Sequence, residues 1–146
     1  MSDMQTLSRH LGPSQLRAIT KTGDILIPGD AEMPRFSDTP AIAEIDRMVD
    51  YMTDSDRDGF KFLMGLFDKL PAPAIRGLMK VADQAESLPS FLAPPFRLIN
   101  VGVKGVLYTL YYTDITGNRS IFRGIGWETK CGETAARNPD PALAAL

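Results

Sequence analysis

The chain has one cysteine, Cys131, and one histidine, His10. A single thiol cannot close an internal disulfide, so a disulfide-stapled framework is excluded. A zinc site needs about four N, S or O ligands, and these two residues supply at most two. The C-x-x-C-H pattern that attaches a c-type haem is missing. A surplus of charge is also missing. Sixteen Lys and Arg against eighteen Asp and Glu give a net charge of −2, without the cationic excess that neutralises nucleic-acid phosphates. The opening MSDMQTLSRH has no basic start, no apolar stretch and no Arg-Arg pair. The expected location is cytoplasmic, or periplasmic only if the chain is co-exported with a partner or has lost a leader. The most apolar stretch, Phe96 to Tyr112, is interrupted by Arg97, Asn100 and Lys104, so direct membrane insertion is not expected.

What remains is an ordinary globular chain. Its 146 residues suit one domain, and 44% hydrophobic with 23% charged residues is enough to build a core without metal or disulfide staples. Apolar spacing is helical almost throughout. Leu16, Ile19, Gly23, Leu26 and Ile27 form one face, with Ser14 as the expected cap and Pro28-Gly29 as the stop. A turn-rich loop follows, from Pro28 to Asp38. Thr39-Pro40 reads as a helix start with the stripe Ile42, Ile45, Val49, Met52. Ser55 is the expected cap of a third helix, with Asp58 in a capping-box position and the stripe Phe60, Leu63, Phe67, Leu70. Pro73 opens a fourth, with Ile75, Leu78, Ala82 and Ala85 inward.

The fifth segment, Phe96 to Tyr112, carries the stripe Ile99, Val103, Val106, Leu110. Further apolar residues lie on nearly every other side. Such a helix is either central to the core or covered by something else. After Thr113 the rhythm stops, and Gly117, Gly124, Gly126 and Gly132 punctuate a loop with the only tryptophan, Trp127. The expected fold is all-α: about five helices in one domain, 14–127, between an N-terminal arm, 1–13, and an extended tail, 128–146. The tail has too little apolar area to offset its own ordering, so it frays or lies against a partner.

Reactive constellations are weak. Asp54-Ser55-Asp56-Arg57-Asp58-Gly59 copies the first half of a calcium loop, but position twelve is Gly65 and position eight is Lys61. The bidentate carboxylate is therefore missing, and acidic residues at the positive end of a helix explain the run equally well. Gly124-Ile125-Gly126 lacks the third glycine of a dinucleotide fingerprint, and no G-x-S-x-G elbow occurs. His10 lies in the arm, and Cys131 has no base near it in sequence. Tyr108, Tyr111, Tyr112, Phe122 and Trp127 form an aromatic set that serves either core packing or an interface.

Two segments resemble a known family. Ile27-Pro28-Gly29-Asp30-Ala31-Glu32-Met33-Pro34, then Ile42-Ala43-Glu44-Ile45-Asp46-Arg47-Met48-Val49, is similar to the opening of the gluconate 2-dehydrogenase subunit 3 family. Tyr111-Tyr112-Thr113-Asp114, Gly117-Asn118 and Gly126-Trp127 resemble its closing elements. The likeness runs loosely from Leu16 to Trp127. Glu128-Thr129-Lys130 stands where the family usually has a further glycine run, and the twin-arginine leader common in the family is not seen.

The resemblance implies a small, non-catalytic subunit without a cofactor of its own. Its implied partner is a large FAD-containing dehydrogenase subunit of the glucose–methanol–choline class, acting on a sugar or alcohol hydroxyl, in some assemblies with a cytochrome subunit. Two other readings compete: an independent enzyme using carboxylates such as Asp46 or Asp114, and a stand-alone helical module binding a cation through Asp54, Asp56 and Asp58.

Overall fold

A computed structural model describes residues 8–84, 87, 89–90, 93–112 and 121. The protein is all-α, as its periodicity predicts. The tail 128–146, Phe122, Trp127, Asp114 and Cys131 lie outside the described residues.

Helix α1 is Pro13–Leu26. Its cap is Gly12, not Ser14. Gly12 adopts extended φ/ψ of −80° and 169°, and the Gln15 side chain accepts its N–H at 2.6 Å. Pro13 takes the first helical position, where its missing N–H costs nothing. Leu16, Ala18, Ile19, Thr22 and Gly23 face inward. The loop after α1 contains a 3₁₀ turn, Phe36–Asp38, that buries Phe36.

Thr39 caps a second 3₁₀ turn, Pro40–Glu44, which runs into α2, Ile45–Asp50. The expected stripe is largely present. Ile45 and Val49 are fully buried, and Ile42 and Met52 pack partly against the core.

Helix α3 is Asp54–Lys69. Its cap is Thr53 rather than Ser55, since the Thr53 hydroxyl accepts from Asp56 N–H at 3.2 Å and donates to the Asp56 carboxylate at 2.8 Å. The helix therefore begins earlier than the serine suggested. Phe60 and Phe67 are buried as expected, Leu63 and Leu70 only partly, and Met64 fills the centre instead. Helix α4, Ala72–Asp83, buries Ile75, Met79 and Ala82. Leu78 is partly buried, and Ala85 lies outside the described residues.

The last rod has three parts: α5, Ala93–Arg97; a π-helical stretch, Leu98–Lys104; and α6, Gly105–Tyr112. The expected stripe Ile99, Val103, Val106, Leu110 is buried, joined by Leu107 and Tyr111. On the opposite side Val101 is 75% exposed, and no described residue covers it. Wide π turns change the phase of the rod in the middle. Gly102 and the β-branched Ile99, Val101 and Val103 lower its α preference there.

Helix α1 packs along α3 and also touches α4, and the final rod closes over α4 and the Pro40–Glu44 turn. Leu11 from the arm and Ile121 beyond α6 complete the core. Each fully buried Leu, Ile or Phe contributes roughly 1.5–3 kcal/mol relative to exposure.

Candidate functional site

The segment Ile27–Pro34 is built by local chemistry. Ile27 ends α1, donating its N–H to the Gly23 carbonyl at 2.7 Å. Gly29 has φ +74°, and a Cβ there would sit 2.6 Å from the Arg35 nitrogen. Only glycine fits such a turn without strain. The Asp30 carboxylate then accepts the N–H groups of Glu32 and Met33, both at 2.8 Å. Those two bonds hold the Asp30 carboxyl below its ordinary range.

Seventy-seven positions later, Tyr111 returns to this loop and donates its hydroxyl to the Pro34 carbonyl at 2.5 Å. Its ring stacks on Phe36 with centroids 6.5 Å apart, and meets Tyr112 edge-on at 4.9 Å. Tyr112 in turn lies 6.1 Å from Tyr108. Burial first, then Tyr112 and the Asp30 charge, push the Tyr111 phenol above its ordinary range. Tyr111 is fully buried, whereas Tyr108 and Tyr112 are 37% and 41% exposed. Of the aromatic set, Tyr111 thus belongs to this chain's own core, while Tyr108 and Tyr112 present edges to the surface. A cleft of about 190 Å³ between Leu26, Pro28, Asp30, Met33, Tyr111 and Tyr112 marks the junction. That is below the usual size of a small-molecule pocket.

The arm holds a feature that sequence reasoning missed. Ser8, Arg9 and His10 grip α2. The Ser8 hydroxyl donates to Asp46, the Arg9 N–H donates to Asp46 at 2.8 Å, and the Arg9 guanidinium reaches Asp50 at 2.8 Å. His10 Nε2 lies 2.7 Å from Asp50. Burial raises the Asp46 carboxyl, but the hydrogen bonds from Arg9 and Ser8 and the His10 charge together outweigh it and leave the group lowered. The only available signal was the i, i+4 spacing of Asp46 and Asp50, which puts both on one face of α2.

This cluster does not form a serine triad. The Ser8 oxygen accepts the N–H groups of His10 and Leu11 while donating to Asp46. The hydroxyl works as a backbone cap, and it makes no bond to the His10 ring. Asp46 is fully engaged in the tether.

The calcium-like run also has a plain structural place. Asp54, Asp56 and Asp58 lie in the first two turns of α3, with Asp54 paired to Arg57 at 3.0 Å and Asp56 bonded to Thr53. A helix spreads these carboxylates around its circumference, and among the described residues no three metal-ligating side chains gather to hold an ion. No described helix is long and apolar enough to cross a membrane.

The exposed apolar side chains are the remaining candidate surface. A groove of about 300 Å³ runs between Met52, Phe60 and Leu63 on one side and the π-helical Leu98, Val101 and Val103 on the other. Tyr51 and Phe62 project nearby in sequence, 92% and 73% exposed. Apolar surface of this kind is suited to covering by another protein. No protein-family model, curated protein or solved structure matches this chain.

Proposed function

We propose that this protein is a non-catalytic small subunit of a flavin-dependent dehydrogenase, folding onto and stabilising a large FAD-containing chain of the glucose–methanol–choline class. One observation carries the reading. The two segments that resemble the gluconate 2-dehydrogenase subunit 3 family, Ile27–Pro34 and Tyr111-Tyr112, are far apart in sequence but meet at the Tyr111–Pro34 hydrogen bond. They are parts of one structural element, which supports reading the two likenesses together. Tyr108 and Tyr112 flank that element with partly exposed rings, and aromatic edges of this type serve as anchors in protein interfaces. FAD and the hydroxyl-oxidising chemistry belong to the partner, and a cytochrome is a further candidate component.

Co-purification tests this. A tagged copy is recovered from its own cells and the bound fraction is assayed for flavin and for dye-linked alcohol or sugar oxidation. The expected result is a yellow, active complex with a large flavoprotein, while the chain expressed alone is colourless and inactive. Tyr108→Ala with Tyr112→Ala should weaken the complex. Recovery of the chain as a stable monomer that never carries a flavoprotein refutes the reading.

A further inference from the structure

Most of the described arginines sit on carboxylates. Arg9 holds Asp46 and Asp50, Arg17 holds Asp68, Arg47 holds Glu44 and Arg57 holds Asp54. Arg35 and Arg76 make no such pair among the described residues. They come from a loop and from α4, yet they border the same cleft, together with Lys21 from α1. This cleft holds about 330 Å³, and its other walls include Asp24, Pro28 and Ala72.

The charges there do not cancel. Lys21 Nζ donates to the carbonyls of Asp68 and Leu70, each at 2.9 Å. Neutral acceptors fix the ammonium in place without neutralising it, and one of its three donors is left over. Arg35 makes one long bond, from Nε to the Pro28 carbonyl at 3.5 Å. Arg76 makes none among the described residues. The one carboxylate, Asp24, accepts the Ser37 N–H at 2.9 Å and pairs with no cation there. Three cations face one anion, a local charge of +2 in a chain whose net charge is −2. The first turn of α4 contains no acidic residue and no side-chain cap, so the positive end of that helix adds to the field instead of cancelling it.

We propose that this cleft binds a phosphate group, either as free phosphate or carried on a small molecule. A phosphate carries about −1.5 to −2 charge at neutral pH, which matches the local excess. Two guanidinium forks suit its oxygens, and a point-charge ammonium completes the set. The volume lies at the small end of the range for ligand pockets, enough for a phosphate and a compact group attached to it. The site is independent of the flavoprotein reading and can fail without it.

Calorimetric titration of the full chain, or of its complex if only that is soluble, tests the site at low salt with inorganic phosphate, pyrophosphate and glucose 6-phosphate. The expected result is saturable phosphate binding that weakens with added KCl. Arg35→Ala and Arg76→Ala should each weaken it by about tenfold and their combination should abolish it, whereas Arg97→Ala should leave it unchanged. Tighter binding of glucose 6-phosphate than of phosphate assigns the site to an esterified ligand, and equal or weaker binding assigns it to the free anion. Both arginines are exposed, so their removal spares the core. If the double alanine variant still fails to fold, the double lysine variant keeps the charge and loses the forks, and weaker phosphate binding is again expected. Absence of saturable heat with all three anions, or undiminished binding in the double variant, overturns the proposal.

Discussion

Gly23→Ala is the sharpest test of the packing described above. In an exposed helix interior this change stabilises by about 1 kcal/mol, because alanine is the better helix former. Here the outcome should reverse. A Cβ at Gly23 would come within 3.0 Å of three carbons of the Phe36 ring. That ring is 1% exposed and stacked on Tyr111, so it has little room to retreat. Overpacking of this kind costs about 1–3 kcal/mol, which outweighs the propensity gain and leaves a net loss of up to about 2 kcal/mol. Phe36→Ala alone should cost about 3–5 kcal/mol by leaving a cavity. With the ring gone, the added methyl has space, and Gly23→Ala should become neutral or stabilising by up to about 1 kcal/mol. Urea unfolding of the four proteins in the cycle measures this directly. A stabilising Gly23→Ala in the parent chain, or effects that add within about 0.5 kcal/mol, would refute the packing argument.

Thr22 is fully buried and its hydroxyl has no hydrogen-bond partner among the described residues. Thr22→Val keeps the shape and removes the desolvated oxygen, so thermal unfolding should show a gain of about 1 kcal/mol. Thr53→Ala removes the α3 cap and should cost about 1 kcal/mol, about 3 °C in Tm for a chain of this size. The Asp46 carboxyl is lowered in the folded chain, so the unfolded chain takes up the proton first as pH falls. Its stabilisation is complete above the ordinary aspartate range and is lost as pH drops through and below it. Asp46→Asn should therefore flatten the acid side of the stability–pH curve, and an unchanged curve would mean that the tether contributes nothing.

The helical rods were legible because burial repeats at three and four residues. Ile19, Val49, Phe60, Phe67, Ile75, Val103 and Leu110 all read correctly as inward. Methionine was undervalued: Met64 and Met79 fill irregular core space that the branched residues beside them do not reach. Cap positions slipped because Gly12 is capped by a glutamine side chain and because Thr53 precedes an equally plausible serine. Phe36 was hidden inside a loop rich in turn residues, so the reason for Gly23 on the buried face of α1 could not be read. The tether between the arm and α2 was not legible because hydrogen bonds across 37 to 41 positions leave no periodic trace. Of the aromatic set, chemistry alone could not divide core from surface. The Pro34 carbonyl that claims the Tyr111 hydroxyl supplies that division.

The Tyr111–Pro34 bond also sets an order of events during synthesis. The ring of Phe36, itself packed beside Gly23 of α1, is covered by Tyr111, a residue of α6 that leaves the ribosome only after α1 to α5 have already emerged. Until then the nascent chain carries an open greasy seam. Its vulnerable period ends only when α6 has emerged and docked, which makes this stage of translation the point at which a chaperone would be needed most.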